Sequence, residues 1–546
     1  MKTADQLTAD KLRGGFYSPP RLVQACLDRV AALTDGQHTL RILEPSAGDG
    51  AFVRGLAGHD LAARVDEVTA VEINVREAAK CRAALDAAPF PGTVIHESVL
   101  NGARIRLGTY NAAVGNPPFV RFQFLTPEDR AGALKVAGES GLILGGVSNL
   151  WIPVLLSALT RLTPGGVFAF IVPAECLTGI SAGNMRVWLM HNVDFLQIDL
   201  FPPGSFPAVL QEVVVLSGRA AASKSLRCMP ALHVVEHGGK KPLSWTHVIK
   251  EGVPTWTRYL LTPAQLAALD EAVSLPHFYK FSEVARLTVS TVTGANEYFS
   301  VDDATRAAYG LDRWVLPLLP RIRAAAGLVF DENDHEKLGQ AGCRRWLLNF
   351  AAGLPDPESH PLAYRYLRAG EAEQLHIRYK CRIREPWYRV PVIKPGSLLL
   401  SKRSHRYPRL VLNAAQVVTT DTIYQGRMTT VFGSREADLV AGFHNTVTFL
   451  TAEIEGRSFG GGVLELVPTE IGRLCIPLIS GFGNWITDLD TYVRTGGTDP
   501  ESLVERTDIL LSSTVPDLTS DILGKLREAR MSLLKRRMDR TGPFGT

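Results

Sequence analysis

Between residues 40 and 215 the chain alternates short apolar runs with stretches of helical period. Residues 41–43 form a brief apolar run that ends in a Gly-containing turn, and residues 51–61 then follow with helical spacing. Residues 68–73, 94–96 and 110–114 predict further strands, and residues 75–87 and 150–162 further helices. The last of these helices stops at Pro164-Gly165-Gly166, before an apolar run at 167–172 and another at 212–216. Strands alternating with helices of this length predict a mostly parallel, twisted sheet covered on both faces, with ligands at the carboxyl ends of its strands. Past Ala220 the texture changes. Residues 221–241 are small, polar and basic and read as a linker; beyond them Pro and Gly punctuate shorter runs, predicting a separate mixed α/β domain. Residues 501–540 return to a helical pattern and end in a basic turn.

Three segments are therefore expected: an alternating α/β domain over 1–222, a mixed α/β domain over 223–500 and a helical, basic extension over 501–546. Apolar residues at 46% and charged residues at 21% exclude a mainly disordered or fibrous chain. Lys+Arg 59 against Asp+Glu 55 leaves a net charge of +4, so any basic surface must be local. The seven cysteines are scattered, with no CxxC pair and no Cys/His cluster suited to zinc, so neither a metal nor a disulfide framework is expected. The residues before 14 have no apolar core resembling a secretory signal, and no run approaches the ~20 apolar residues of a bilayer span. A reduced, cytoplasmic protein without a membrane partner is expected.

Candidate chemistry begins at Leu43-Glu44-Pro45-Ser46-Ala47-Gly48-Asp49-Gly50, after a strand and opening a helix. Its glycines let backbone approach a ligand, although neither a full GxGxxG nor a Walker A loop is present. Glu72, at the end of the second strand, is placed to accept from two ribose hydroxyls. To this point NAD and S-adenosylmethionine fit equally well.

Gly115-Asn116-Pro117-Pro118-Phe119, at the end of the fourth strand, narrows the choice. Two prolines stiffen the backbone and remove two N–H donors, leaving carbonyls to accept. An exocyclic amine on a flat base needs two acceptors and a ring to stack on. The Asn116 side-chain oxygen and the Pro117 carbonyl supply the first, and Phe119 the second.

With these strings in this order, residues 14–217 resemble the TaqI-like (γ-type) amino DNA methyltransferases of restriction–modification systems. These transfer a methyl group from S-adenosylmethionine to adenine N6. The matching positions are Phe16-Tyr17-Ser18-Pro19-Pro20, Glu44 to Gly50, Glu72, Asn116 to Phe119, and Pro164-Gly165-Gly166. The resemblance implies a Rossmann-like methyltransferase domain followed by a mixed α/β target-recognition domain. It implies cofactor contacts from Tyr17, Ser18, Glu44, Ser46, Ala47, Gly48, Glu72, Ile73, Ser98, Val99, Asn116 and Pro118. Ser18 can alternatively cap a helix that begins at Pro19. Two departures stand out: Ser98, beside Glu97, occupies the position of the family's usual acidic contact to the cofactor adenine, and Asn111 stands where an Asp commonly precedes the fourth strand's end. A second aromatic for the flipped base is expected at Phe206, in preference to Phe201. The catalytic set is then Asn116, Pro117, Phe119 and Phe206, with no covalent nucleophile.

Residues 376–409 carry ten basic residues and one acid. Arg378, Lys380, Arg382 and Arg384 alternate with Ile377, Tyr379, Cys381 and Ile383, a period that places four cations on one face of a strand. Duplex DNA is the expected partner, contacted by these four with Lys402, Arg403 and Arg406, and with Trp387 and Tyr388 available for stacking. Val292-Thr293-Gly294-Ala295-Asn296, Arg384-Glu385-Pro386-Trp387-Tyr388 and the Gly460 to Leu466 string also resemble recognition domains of these methylases, in either fold or contact roles. No nuclease carboxylate cluster is recognisable, so a restriction endonuclease would be a separately encoded partner. Cytosine N4 methylation uses the same two acceptors and is the nearest alternative. Glutamine N5 methylation of a protein, also found with NPP motifs, leaves the basic segment without a purpose.

Overall fold

The structure is a computed structural model and describes residues 18–34, 39–145, 148–179, 182–202, 212–222, 230–239, 241–459, 461–496 and 499–539. It divides into two compact units, Met1–Pro263 with Asp539–Thr546, and Ala264–Met538.

The first unit is built on a nine-stranded sheet. Its strands are β1 (Leu40–Glu44), β2 (Val65–Val71), β3 (Gly92–Ile95), β4 (Tyr110–Gly115), β5 (Leu162–Pro173), β6 (Val193–Leu200), β7 (Val213–Ala220), β8 (Ala231–Glu236) and β9 (Leu243–Val248). The order is β3-β2-β1-β4-β5-β7-β6-β8-β9, with β1 to β5 mutually parallel and β7 running against both β5 and β6. The sheet is thus α/β and mostly parallel, as the alternation of elements implies. Burial on both faces explains the continuous apolar run: residues 166–173 of β5 are all buried.

Helix α1 (Pro20–Leu33) starts on a proline and buries Leu22, Val23, Cys26, Leu27 and Val30, spaced along one face. It is tied to the sheet by Arg29, whose guanidinium meets the buried Asp199 of β6 at 2.9 and 2.5 Å. Asp199 also accepts from Gln197 at 3.0 Å and pairs with His237 Nε2 at 2.8 Å. Helix α2 (Ala51–Ala57) packs closely on α1, since a Cβ on Gly55 would fall 2.5 Å from Val23 Cγ1. Helix α3 (Val75–Asp86) is capped by the Asn74 side chain, which accepts from the N–H groups of Arg76 and Glu77.

Two expected boundaries are corrected. β8 and β9 continue the first sheet, with Leu196 paired to Leu232, so the first unit runs on past residue 222 to Pro263. Of the expected linker at 221–241, residues 223–229 and 240 lie outside the described residues; residues 231–236 are β8, paired on both sides by β6 and β9. The expected extension at 501–546 is instead two helices, Pro500–Thr514 and Ser520–Met538, built into the second unit. The buried Arg530 pairs with Glu501 at 2.7 Å, and the buried Arg537 with Glu453 at 2.6 Å, so these two cations are neutralised internally. Arg540 lies outside the described residues.

The second unit is mixed α/β. Strands 285–289, 423–428, 398–401, 410–413 and 329–330 form a five-stranded sheet in that order. Smaller sheets include one that pairs Arg403–Ser404 with Val463–Glu465. No helix among the described residues is long and apolar enough to cross a membrane.

Candidate active site

The order of the parallel strands reverses between β1 and β4, and the loops after these two strands meet at their carboxyl ends. Such a switch point opens a crevice in doubly wound sheets. The first loop is held in place by backbone and carboxylate. Ala47 N–H donates to the Val71 carbonyl at 2.8 Å. Glu72 accepts from Gly48 N–H at 2.8 Å through one oxygen and from Asn74 N–H at 2.7 Å through the other.

The two glycines serve different ends. Both have left-handed φ, +55° at Gly48 and +83° at Gly50, where a side chain is strained. A Cβ on Gly50 would sit 3.0 Å from Cys81 Cα of α3, so this glycine serves packing. A Cβ on Gly48 would meet nothing within 4 Å, so the loop faces open space there.

Glu44, at the end of β1, is buried, and its Oε2 has no hydrogen-bond partner among the described residues. Burial raises its carboxyl pKa well above the ordinary value, with Glu72 and Asp49 adding repulsion and Arg54 partly opposing it. Three carboxylates around a glycine turn, one of them orphaned, suit a ligand that brings positive charge.

The loop after β4 supplies the opposite chemistry. Asn116 Nδ2 donates to Ser18 Oγ at 3.2 Å, and the Asn116 carbonyl accepts from Ser46 Oγ at 3.3 Å. The amide is therefore oriented with Oδ1 as its remaining acceptor. Among the described residues neither Asn116 Oδ1 nor the Pro117 carbonyl takes a hydrogen bond. Pro117 is buried, Pro118 is half-buried, and Phe119 is half-buried and packs on the core cluster beneath the loop.

Several other expected residues cluster here. Ser18, Ser46 and Gly48 are half-buried, Ala47 and Val99 are buried, and Ile73 is exposed. Ser18 does not cap α1, whose N-cap is Pro19 without a side-chain bond. Ser98 sits in the turn after β3 and its Oγ accepts from Leu100 N–H at 3.3 Å. The neighbouring Glu97 pairs with Arg106 at 2.5 Å. Asn111 lies at the opposite end of β4 and splices strand starts, accepting from Arg41 N–H at 2.8 Å and donating to the Thr39 carbonyl at 2.7 Å. Phe201 packs on the core and stacks on His237 at 4.8 Å. Tyr17 and Phe206 lie outside the described residues.

In the second unit the basic segment departs from expectation. Residues 379–382 form a helical turn, with the N–H groups of Cys381 and Arg382 both bonded to the Arg378 carbonyl at 2.9 Å, so the four cations do not share a strand face. Arg378, Lys380 and Arg382 are exposed. Arg384 is not: it donates to the carbonyls of Thr293 at 2.7 Å and Val292 at 2.6 Å, and its guanidinium pKa is lowered by burial. Tyr388 is buried, donating to Glu358 at 2.9 Å, and Trp387 is half-buried among Tyr298, Phe299 and Tyr388. Neither indole nor phenol is placed for stacking on a partner, because both complete the core beneath the turn.

Both recognition-domain strings thus brace the turn. Gly294, at φ +82°, leaves no room for a Cβ, which would fall 2.7 Å from Lys380 Cβ. Asn296 Nδ2 donates to Asp421 at 2.9 Å. Of the Gly460 to Leu466 string, Gly460 lies outside the described residues and residues 461–466 back the other basic turn. Glu465 pairs with Arg403 at 3.2 Å and with Lys402 at 3.8 Å, while Arg537 donates to the carbonyls of His405 and Gly462. Arg406 remains exposed. A recess of about 690 Å³, lined by Asn349, Arg384, Arg389, Ile393, Lys394 and Gln416 among others, lies beside the first turn.

Residues 254–511, mostly within the second unit, match the family described as the C-terminal domain of the Type II methyltransferase M.Eco57I. The chain is 21% identical over 454 residues to the Type II methyltransferase M.AccI of Acinetobacter calcoaceticus, covering 79% of this chain and 80% of that protein. It is 23% identical over 476 residues to the Type II methyltransferase M.XamI of Xanthomonas campestris pv. amaranthicola, covering 85% of each. The crystal structure of the type IIG restriction endonuclease BpuSI aligns with 96% of this chain and 66% of its own at 16% identity, with a TM-score of 0.42. Over most of its length, then, the chain is similar to Type II methyltransferases.

Proposed function

We propose that the chain is a site-specific DNA methyltransferase of the γ-type arrangement, transferring a methyl group from S-adenosylmethionine to N6 of an adenine turned out of duplex DNA. The observation that carries this reading is the pair of unengaged acceptors, Asn116 Oδ1 and the Pro117 carbonyl, beside an open glycine loop.

The residues present fit the cofactor. The orphaned Glu44 Oε2 would hold an ammonium or sulfonium group. Glu72 retains acceptor capacity for ribose hydroxyls beyond its two backbone donors, and the exposed Ile73 offers an apolar face beside it. When bound, S-adenosylmethionine would supply an electrophilic methyl group, its S–CH3 bond breaking to leave the neutral thioether S-adenosylhomocysteine.

The chain's own part is to prepare the nucleophile. The lone pair of an adenine amine is delocalised into the ring. Two acceptors held at fixed positions bind both amine hydrogens, favour tetrahedral nitrogen and free that lone pair for in-line attack. Ser18 accepts from Asn116 Nδ2 and Ser46 donates to the Asn116 main-chain carbonyl, so little reorganisation is required during transfer. The base must leave the stack to reach this pocket, with Phe119 as one flanking ring and Phe206 proposed as the other.

The second unit is proposed as the target-recognition domain, with Arg378, Lys380, Arg382, Lys402, Arg403 and Arg406 on phosphates. A separately encoded restriction endonuclease is the proposed functional partner, and the cytoplasm the proposed location. Single-molecule sequencing of DNA from cells expressing the chain should show N6-methyladenine at one recurrent motif. N4-methylcytosine at that motif would reassign the base, and unmodified DNA would refute the reading.

A further inference from the structure

The turn at 377–383 combines three properties seldom found together on a protein surface. It is apolar and exposed: Ile377, Tyr379 and Ile383 are 56%, 63% and 61% accessible. It is strongly cationic, since residues 377–385 contain Arg378, Lys380, Arg382 and Arg384 against the single acid Glu385. It is also rigidly founded. Cys381 is buried beneath it, Arg384 pins its trailing end to two carbonyls, and Gly294 admits the backbone of 380–381 at close range.

The cations do not retract from the ring. Lys380 Nζ lies 5.5 Å and Arg382 Cζ 5.6 Å from the Tyr379 ring centroid, so charge and aromatic surface are presented together. Exposed apolar side chains of this size forgo burial energy unless a partner covers them. The partner that complements them must bring dense negative charge alongside flat apolar surface, and stacked bases flanked by phosphates do both.

We infer that the turn at 377–383 is a wedge that enters the base stack of duplex DNA, with the Tyr379 ring and the two flanking isoleucines against unstacked bases and Arg378, Lys380 and Arg382 on the adjoining phosphates. The inference rests on the DNA-methyltransferase reading and adds to it a way of loosening the duplex that is independent of the methyl-transfer pocket. Apolar side chains inserted between base steps unstack and kink a duplex, which lowers the cost of extruding a neighbouring base.

The test uses the full chain and two synthetic duplexes of identical sequence, one fully paired and one with a single-base bulge that is already unstacked. Affinity is followed by fluorescence anisotropy across a salt series. Tyr379→Ala should weaken binding to the paired duplex about tenfold. It should also erase the wild-type preference between the duplexes while leaving the salt slope unchanged, and Tyr379→Phe should behave as wild type. Lys380→Ala and Arg382→Ala should each reduce the slope by about 1. Unchanged affinity in Tyr379→Ala, or a loss matched by a reduced slope, would overturn the wedge. A parallel assay with tritiated S-adenosylmethionine separates the two readings. Transfer to DNA by wild type together with undiminished binding by Tyr379→Ala sinks the wedge alone, whereas no transfer to any DNA sinks the function on which it rests.

Discussion

The Asn116 side chain donates to the Ser18 hydroxyl at 3.2 Å across 98 residues of chain, joining the segment before α1 to the loop after β4. That bond decides which end of the amide faces the crevice, since a donor engaged at Nδ2 leaves Oδ1 as the acceptor. Asn116→Ala removes the acceptor and should lower kcat by at least about 10²-fold, the scale of losing one transition-state hydrogen bond, with cofactor affinity retained. Ser18→Ala removes only the orienting partner, worth ~1 kcal/mol, and should cost about fivefold in kcat. Single-turnover methyl transfer and equilibrium dialysis of cofactor separate the two; a larger loss in Ser18→Ala than in Asn116→Ala would contradict the assignment.

Gly48→Ala and Gly50→Ala should fail in different ways. Each places an L side chain at left-handed φ, a strain of about 1–2 kcal/mol. At Gly50 the new methyl also collides with α3, 3.0 Å from Cys81 Cα and 3.1 Å from Ala84 Cβ, so melting temperature should fall further there. At Gly48 the methyl enters open space beside Glu72, so stability should fall less while cofactor affinity drops. Calorimetric melting paired with cofactor titration checks the contrast.

Cofactor binding should depend on pH through Glu44. Burial and neighbouring carboxylates raise its pKa in the free protein, and a bound cation would lower it. Binding therefore expels a proton over the window between the two values, and affinity should rise with pH from the ordinary carboxylate range up to the raised free-state value. Glu44→Gln should bind more weakly and lose this dependence. Isothermal titration in buffers of different ionisation enthalpy reads the released proton directly.

The methyltransferase-like unit was legible because its signals are local. Periodicity located β1 to β5 and β7 but not β6, and Gly48, Glu72 and Asn116 stand at strand ends, where a parallel sheet gathers them without any side-chain detail. What escaped was long-range. The joining of β8 to β6, which moves the boundary from 222 to Pro263, depends on pairing across the chain rather than on composition. Alternating charge at 378–384 fits a strand face, yet the turn is helical because Arg384 is drawn inward by the Val292 and Thr293 carbonyls. Asn111, which departs from the family's usual Asp, is a splice between strand starts. The burial of Trp387 and Tyr388 against Tyr298 and Phe350 had no local signature either.

The C-terminal helices should prove structural. The side chains of Arg537 and Glu453 are 3% and 6% accessible, and Arg537 also braces the 402–406 turn through the His405 carbonyl. Arg537→Met leaves a buried carboxylate unpaired, which costs roughly 3–5 kcal/mol. Denaturant melts should show that loss in the second unit, with the 402–406 turn exchanging its amide hydrogens faster than in wild type.

The most direct measurement of the central claim is mass spectrometry of nucleosides from duplex DNA incubated with purified protein and deuteromethyl-labelled S-adenosylmethionine. The paired acceptors of Asn116 and Pro117 predict label on N6-methyldeoxyadenosine for the wild-type chain and none for Asn116→Ala. Label on another nucleoside, or equal label in the two proteins, would contradict it.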